Sequence, residues 1–248
     1  MTTIHLVDGE KGGVGKSLFA HILIQHCIDR GILHETIETD RSNPDILKIF
    51  GAEKVKMAVF SEDPEYHDSA NDIFDLSLEH DSIVSLPSQC HHMMMQWFER
   101  MDLFTTGQQH NVAFQKWFLT DGMDDSISLL VRSLESFAGN MPHVVVRNHA
   151  LNKDWTFFEA HEALQKLVKK GKCHVIDLPH LSPASYRKLN IQRLTLGAAR
   201  EHTDFKVLGR QVYITFMRRC SEQIDSTGIF PLPAEGTQTK RRASKTAS

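Results

Sequence analysis

The chain has 248 residues, with 28 Lys and Arg against 31 Asp and Glu, a formal net charge of −3. That balance excludes a globally basic nucleic-acid binder and leaves any DNA contact to a local patch. At 41% hydrophobic residues there is material for one large core, yet no apolar run approaches the roughly 20 residues that span a bilayer.

Ile4 to Val7 is a short apolar strand, and the chain enters it at once, leaving no room for a signal peptide. Glu10-Lys11-Gly12-Gly13-Val14-Gly15-Lys16-Ser17 follows, and an apolar helix begins near Ser17. Strand, glycine loop and helix make a phosphate cradle. The glycines let the backbone turn its N–H groups onto an anion, and the helix start adds free donors and a positive dipole end. Lys16 is placed to reach β- and γ-phosphates, and the Ser17 hydroxyl to bind Mg²⁺. The usual phosphate loop has glycine where this chain has Glu10, a place that contributes backbone.

Leu18, Phe19, Ile22, Leu23, Ile24, Cys27 and Ile28 surround the helix on most sides, so it is buried on a sheet, and Gly31 ends it. Leu33 to Thr39 reads as a strand running into Asp40. Asn43 and Pro44 start a helix, Lys54 to Phe60 is an edge strand, and residues 64 to 79 are helical. Ser82 to Leu86 is a strand, and residues 88 to 101 a helix with Met93, Met94, Met95, Trp97, Phe98 and Met101 as apolar bulk. Val112 to Leu119 is a strand ending in Thr120-Asp121-Gly122, and Ile127 to Phe137 falls at helical spacing. Val144 to Val146 is a buried strand ending in Arg147-Asn148. A helix from Phe157 to Val168 closes at Gly171, His174 to Leu178 is the last strand, ending in Pro179, and the rest to about residue 225 is helical.

Strands alternating with helices predict a doubly wound α/β fold, a mostly parallel sheet with helices on both faces. One nucleotide-binding domain covers 1–225, and 226–248 is a polar tail, basic from Thr237 with Lys240, Arg241, Arg242 and Lys245 and no acids. In such sheets ligands sit beyond the carboxyl ends of the strands. The loop, Asp40, Ser85, Asp121, Asn148 and Pro179 all fall there. Asp40 can also cap a turn beside Ser42, and Asn148 can equally be a turn residue. Cys90-His91-His92 is set aside as a metal site because adjacent helical side chains point about 100° apart. Lys166, Lys169, Lys170 and Lys172 form either a solvated face at a helix C-terminus or a phosphate-backbone contact. The four cysteines, Cys27, Cys90, Cys173 and Cys220, show no Cys-x-x-Cys pair and read as reduced thiols in the cytoplasm.

Lys11 to Ser17 matches, at every fixed place, the Lys-Gly-Gly-x-Gly-Lys-Ser/Thr loop of the ParA/MinD-type partition and cell-division ATPases, which the sequence resembles. The resemblance implies a P-loop ATPase that takes ATP and Mg²⁺ and dimerises around the nucleotide, with Lys11 reaching the partner's phosphates. It implies a nucleotide held by Gly12, Gly13, Val14, Gly15, Lys16, Ser17 and Leu18, with Asn148 and Pro179 around adenine. It implies Asp40 as the water-orienting, Mg²⁺-linked carboxylate, so Lys11, Lys16 and Asp40 carry the chemistry and Ser17, Asp40 and the Ser85 position face the metal. The family has aspartate where this chain has Ser85, which removes a charge and leaves the hydrolysis rate and the part of Asp121 open. Thr120-Asp121-Gly122 and Val144 to Asn148 look most like the MobD/TraL kind of plasmid mobilisation and transfer ATPase. A cytoplasmic switch with a protein partner or cargo, and non-specific DNA as a further contact, follows from the resemblance. A weakly hydrolysing nucleotide switch and a metabolic enzyme acting on a small carboxylate or amide are the rivals.

Overall fold

The structure, a computed structural model, describes residues 1–231 apart from 62, 67 and 138. The basic tail from Thr237 lies outside the described residues. In chain order the elements are β1 (Thr2–Asp8), α1 (Lys16–Arg30), β2 (His34–Glu38), α2 (Asp45–Phe50), β3 (Val55–Met57), a 3₁₀ turn (Pro64–Tyr66), α3 (Asn71–Leu76), β4 (Asp81–Ser85), α4 (His91–Arg100), α5 (Leu103–His110), β5 (Val112–Thr120), α6 (Asp124–Phe137), β6 (His143–Asn148), α7 (Thr156–Ala160), α8 (Glu162–Lys169), β7 (Cys173–Leu178), α9 (Pro183–Gln192), α10 (Leu196–Ala199) and α11 (Val207–Asp225). The strands form one seven-stranded sheet in the order β3-β2-β4-β1-β5-β6-β7, and every pairing is parallel.

Both faces of the sheet are covered, which is why its strands read as apolar runs rather than alternations. Side chains still alternate with period two. Val144 and Val146 of β6 join the core with α1, α2 and α9 to α11, while Val145 joins the core with α6 to α8. Ile4 and Leu6 of β1 meet α3 to α5 on that second face, and Val7 meets α1. Helix α1 is buried without a break from Phe19 to Cys27 and ends at Gly31, whose φ of 67° is the left-handed cap that glycine adopts at little cost. β1 lies at the centre between β4 and β5, so the loop after it sits where the winding reverses.

Three local expectations are corrected, and one helix is new. Residues 64 to 79 form a 3₁₀ turn and the short α3 instead of one helix. The Asp63 carboxylate accepts from Glu65 N–H and the Ser69 hydroxyl accepts from Val59 N–H, local bonds that compete with helix. The helix expected from 88 begins at His91, because Gln89 stands at φ 60°. The helix over 157 to 168 breaks at His161, which is extended and caps α8 through its ring on Leu164 N–H. Helix α5 was not anticipated: Gly107 lies at its middle, and a Cβ there would sit 2.6 Å from the Val112 carbonyl, so glycine serves close packing on β5.

The cysteines are all free and buried, spread over α1, the residue before α4, β7 and α11. Burial pushes the Cys27 thiol up to about 12 and the Cys173 thiol up to about 11, and raises Cys90 and Cys220 as well.

Candidate functional site

The loop between β1 and α1 is built on positive φ: Glu10 at 48°, Gly13 at 78° and Gly15 at 102°. A Cβ on Gly15 would lie 2.5 Å from Asn148 Nδ2, so two reasons demand glycine there. Asn148 Nδ2 donates to the Val14 carbonyl at 2.8 Å, and its Oδ1 accepts from Ala150 N–H at 3.0 Å. Beneath the loop, Asp8 Oδ1 accepts from Gly9 N–H (2.6 Å) and Glu10 N–H (3.0 Å). The other Asp8 oxygen pairs with Lys116 Nζ at 2.7 Å, both side chains being fully enclosed. Lys116 also donates to Ser133 Oγ at 2.9 Å. Burial alone would raise the Asp8 carboxyl, but the Lys116 charge and hydrogen bond and the two N–H donors outweigh it and hold it below its ordinary value.

The Lys16 ammonium donates to Ser88 Oγ at 2.8 Å and to the Lys11 carbonyl at 3.2 Å. Burial lowers its pKa, against the pull of Asp8, Glu10 and Asp40. It lines a cleft of about 470 Å³ at the carboxyl ends of the strands, together with Gly13, Gly15, Ser17, Leu18, Asp40, Ser85 and Asn148 of the predicted set. Glu38, Asn43, Asp45 and Ser88 complete the polar side, and Leu151, Leu181, Pro183 and Tyr186 give the cleft an apolar end.

Four predicted residues are not on its wall. Val14 is 1% exposed and contributes its carbonyl to Asn148. Gly12 faces Ser88, whose hydroxyl would be 3.8 Å from an added Cβ. The Lys11 ammonium is bound at 2.8 Å to Asp121 and at 3.0 Å to Asp125, the acids at the end of β5 and the start of α6. Pro179 lines a separate cleft with His180, Leu208 and Arg219, while Leu181, Pro183 and Tyr186 stand at the apolar end of the first. Asp121 is therefore occupied with Lys11 and Met123 N–H rather than turned to the Ser85 side.

Of the carboxylates lining the cleft, Glu38 and Asp40 differ in acidity. Burial pushes Glu38 up to about 7, against hydrogen bonds from Asp40 and Ile46 N–H. Asp40 is held below its ordinary value: hydrogen bonds from the Ser42 hydroxyl and the Asn43 and Ser42 N–H groups, with the Lys16 charge, overcome burial. Asp40 thus both caps its turn and faces the cleft. Asn43 and Pro44, expected to start a helix, precede α2, and the Asn43 side chain bonds Asp45 and Lys48. Sequence reasoning did not place Ser88 or Tyr186 in the site. Glu38 was legible as the acid closing β2, whereas Ser88 and Tyr186 lie in stretches without a signature.

Among the described residues no group of three or more His, Cys, Asp or Glu could hold an ion alone. The oxygens of Ser17, Asp40, Glu38 and Ser85 meet in one cleft, a sparse hard-donor set that fits Mg²⁺ shared with phosphate oxygens and water. At the Cys90-His91-His92 run, Cys90 and Met94 are buried in the core and His92 is exposed. Lys166 and Lys169 lie exposed beside Glu162 on α8.

No family model matches the chain. A 48-residue stretch is 44% identical to Protein MobD of Acidithiobacillus ferrooxidans, covering 19% of this chain and only 21% of that protein. The structure is similar to a nucleotide-binding protein from Archaeoglobus fulgidus solved in complex with ADP (TM-score 0.51, 14% identity, 77% of this chain and 86% of that one). It is also similar to the MinD cell division protein of Aquifex aeolicus (TM-score 0.50, 14% identity, 94% of this chain and all of the other). At that identity the likeness establishes architecture alone, a doubly wound α/β fold with a parallel sheet.

Proposed function

We propose that the chain binds ATP with Mg²⁺ in the cleft after β1 and hydrolyses it slowly, as a cytoplasmic switch that dimerises when loaded. The observation that carries this reading is the convergence of the glycine loop, Lys16 and the Glu38 and Asp40 carboxylates on one cleft with an apolar end. Loop N–H groups and the start of α1 bind the phosphates, and Lys16 exchanges Ser88 and the Lys11 carbonyl for β- and γ-oxygens. Ser17 and Asp40 would hold Mg²⁺, which would supply charge neutralisation to phosphoryl transfer. Asp40, ionised, accepts a hydrogen bond from the attacking water. Glu38, with its raised pKa, stands beside it as a group able to take up a proton near neutral pH. Leu151, Leu181, Pro183 and Tyr186 exclude water around the base.

The 48-residue match to MobD and the loop pattern support a place among mobilisation-type switches acting on a protein partner or cargo, with DNA as a further surface. Ser85 on the cleft wall favours a second reading, a nucleotide switch with little turnover, because a hydroxyl brings no charge to the metal. Calorimetry tests the first step: the wild type binds ATP and Lys16→Ala does not. Equal affinities refute the phosphate-loop assignment. Turnover measured alone, with DNA and with the partner separates the two readings.

A further inference from the structure

We infer that Glu10 is a positioning residue that couples the phosphate loop to the β4–α4 loop, so that filling the cleft is felt at the start of α4. This rests on the nucleotide reading of the cleft.

Glu10 occupies a place where glycine is usual in a phosphate loop. Its φ of 48° is a conformation that a glutamate adopts only under constraint. It is 4% exposed, so its carboxylate needs partners. Oε1 accepts from the His91 N–H, the first residue of α4, at 2.6 Å. Oε2 pairs with Arg132 of α6 at 3.3 Å. The Glu10 carbonyl accepts from Gln89 N–H at 2.9 Å. Side chain and backbone therefore grip residues 89 and 91 together, while the Glu10 N–H is anchored on Asp8.

The gripped loop also carries Ser88, the hydroxyl that holds the Lys16 ammonium. A ring closes through Lys16, Ser88, Gln89 and Glu10 back to the phosphate loop. A phosphate oxygen that takes Lys16 from Ser88 opens one side of the ring. Glu10 keeps the other side fixed, so the loop must adjust against a tether rather than drift free. Glycine at this place cannot make the side-chain half of that tether, whatever its backbone does.

The test is hydrogen exchange on the full chain, with ADP and with a non-hydrolysable ATP analogue. In the wild type the analogue protects residues 11–17 and, beyond them, 86–95. Glu10→Gly relieves the backbone constraint and keeps protection at 11–17 but loses it at 86–95. Glu10→Asn, which tolerates a left-handed backbone and is too short to reach His91, behaves likewise. Glu10→Gln, whose amide oxygen still accepts from His91, retains both. A purely structural role would shift the melting temperature and leave the nucleotide-dependent difference at 86–95 intact. If Glu10→Gly and Glu10→Asn still protect 86–95 as the wild type does, the coupling is overturned while the nucleotide reading stands. If the wild type shows no protection at 11–17, the nucleotide reading falls and the coupling with it.

Discussion

Lys116→Met removes the only cation paired with Asp8 among the described residues and leaves a fully enclosed carboxylate under the phosphate loop. Breaking one side of a buried ion pair costs about 3–5 kcal/mol, a large part of the roughly 5–15 kcal/mol that holds a domain folded. For a chain of this size that is about 2–4 °C of melting temperature per kcal/mol, hence roughly 6–20 °C. The pH dependence carries the diagnosis. In the wild type the Asp8 carboxyl titrates below its unfolded value, so its contribution is present above that value and disappears as pH falls through the folded one. Without Lys116, burial dominates and the folded pKa rises above the unfolded one. The deficit of the variant is then largest at neutral pH and shrinks on acidification as Asp8 protonates. Asp8→Asn combined with Lys116→Met recovers most of the loss, since no buried charge remains. Urea unfolding at pH 7 and pH 5 for wild type, single and double variants is the assay. A deficit under about 1 kcal/mol, or one that does not change with pH, refutes the claim that Lys116 keeps Asp8 ionised.

Lys11→Ala leaves ATP binding by the single chain intact and removes nucleotide-dependent self-association, read by light scattering with a non-hydrolysable analogue; a variant that still associates rejects the cross-subunit role. Ser85→Asp tightens the response to magnesium about tenfold, the worth of one charge-assisted hydrogen bond, and a fall in turnover across the magnesium titration overturns that account. His21 and His143 are each lowered from 6.5 to about 4 by burial, so the unfolded chain takes up more protons between those values and stability falls as pH drops. The loss is roughly 2 kcal/mol per histidine by pH 5, and denaturation curves that coincide at pH 7 and pH 5 contradict it.

The phosphate loop, the order of strands and helices, and the gathering of Asp40, Ser85 and Asn148 at one edge were legible because each rests on a short-range signal. The loop shows as glycine spacing, the buried strands as apolar runs, and the edge as polar residues closing those runs. The Asp8–Lys116 pair was not legible. A lysine inside the strand Val112–Thr120 gives no sign of facing inward, and its partner lies on another strand. Glu10 showed only as a departure from glycine, since its partners at residues 91 and 132 are distant in the chain. Pro179 leaves its expected place to Leu181, Pro183 and Tyr186 because the chain after β7 turns before α9 begins, where Tyr213 of α11 donates to the Ser185 carbonyl, a long-range contact rather than a local pattern.

The buried cysteines give the folded chain a silent thiol chemistry. Attack on a disulfide or an alkylating reagent needs the thiolate, and all four sulfurs are both covered and held protonated. Cys27 and Cys220 belong to the core under α1 and α11, Cys90 to the core of α3 to α5, and Cys173 to the core of α6 to α8. Each packed unit of the molecule therefore holds its own sulfur. Labelling becomes a clock with separate hands: the order in which these thiols react reports which unit opens first, and simultaneous reaction marks a chain that opens as one.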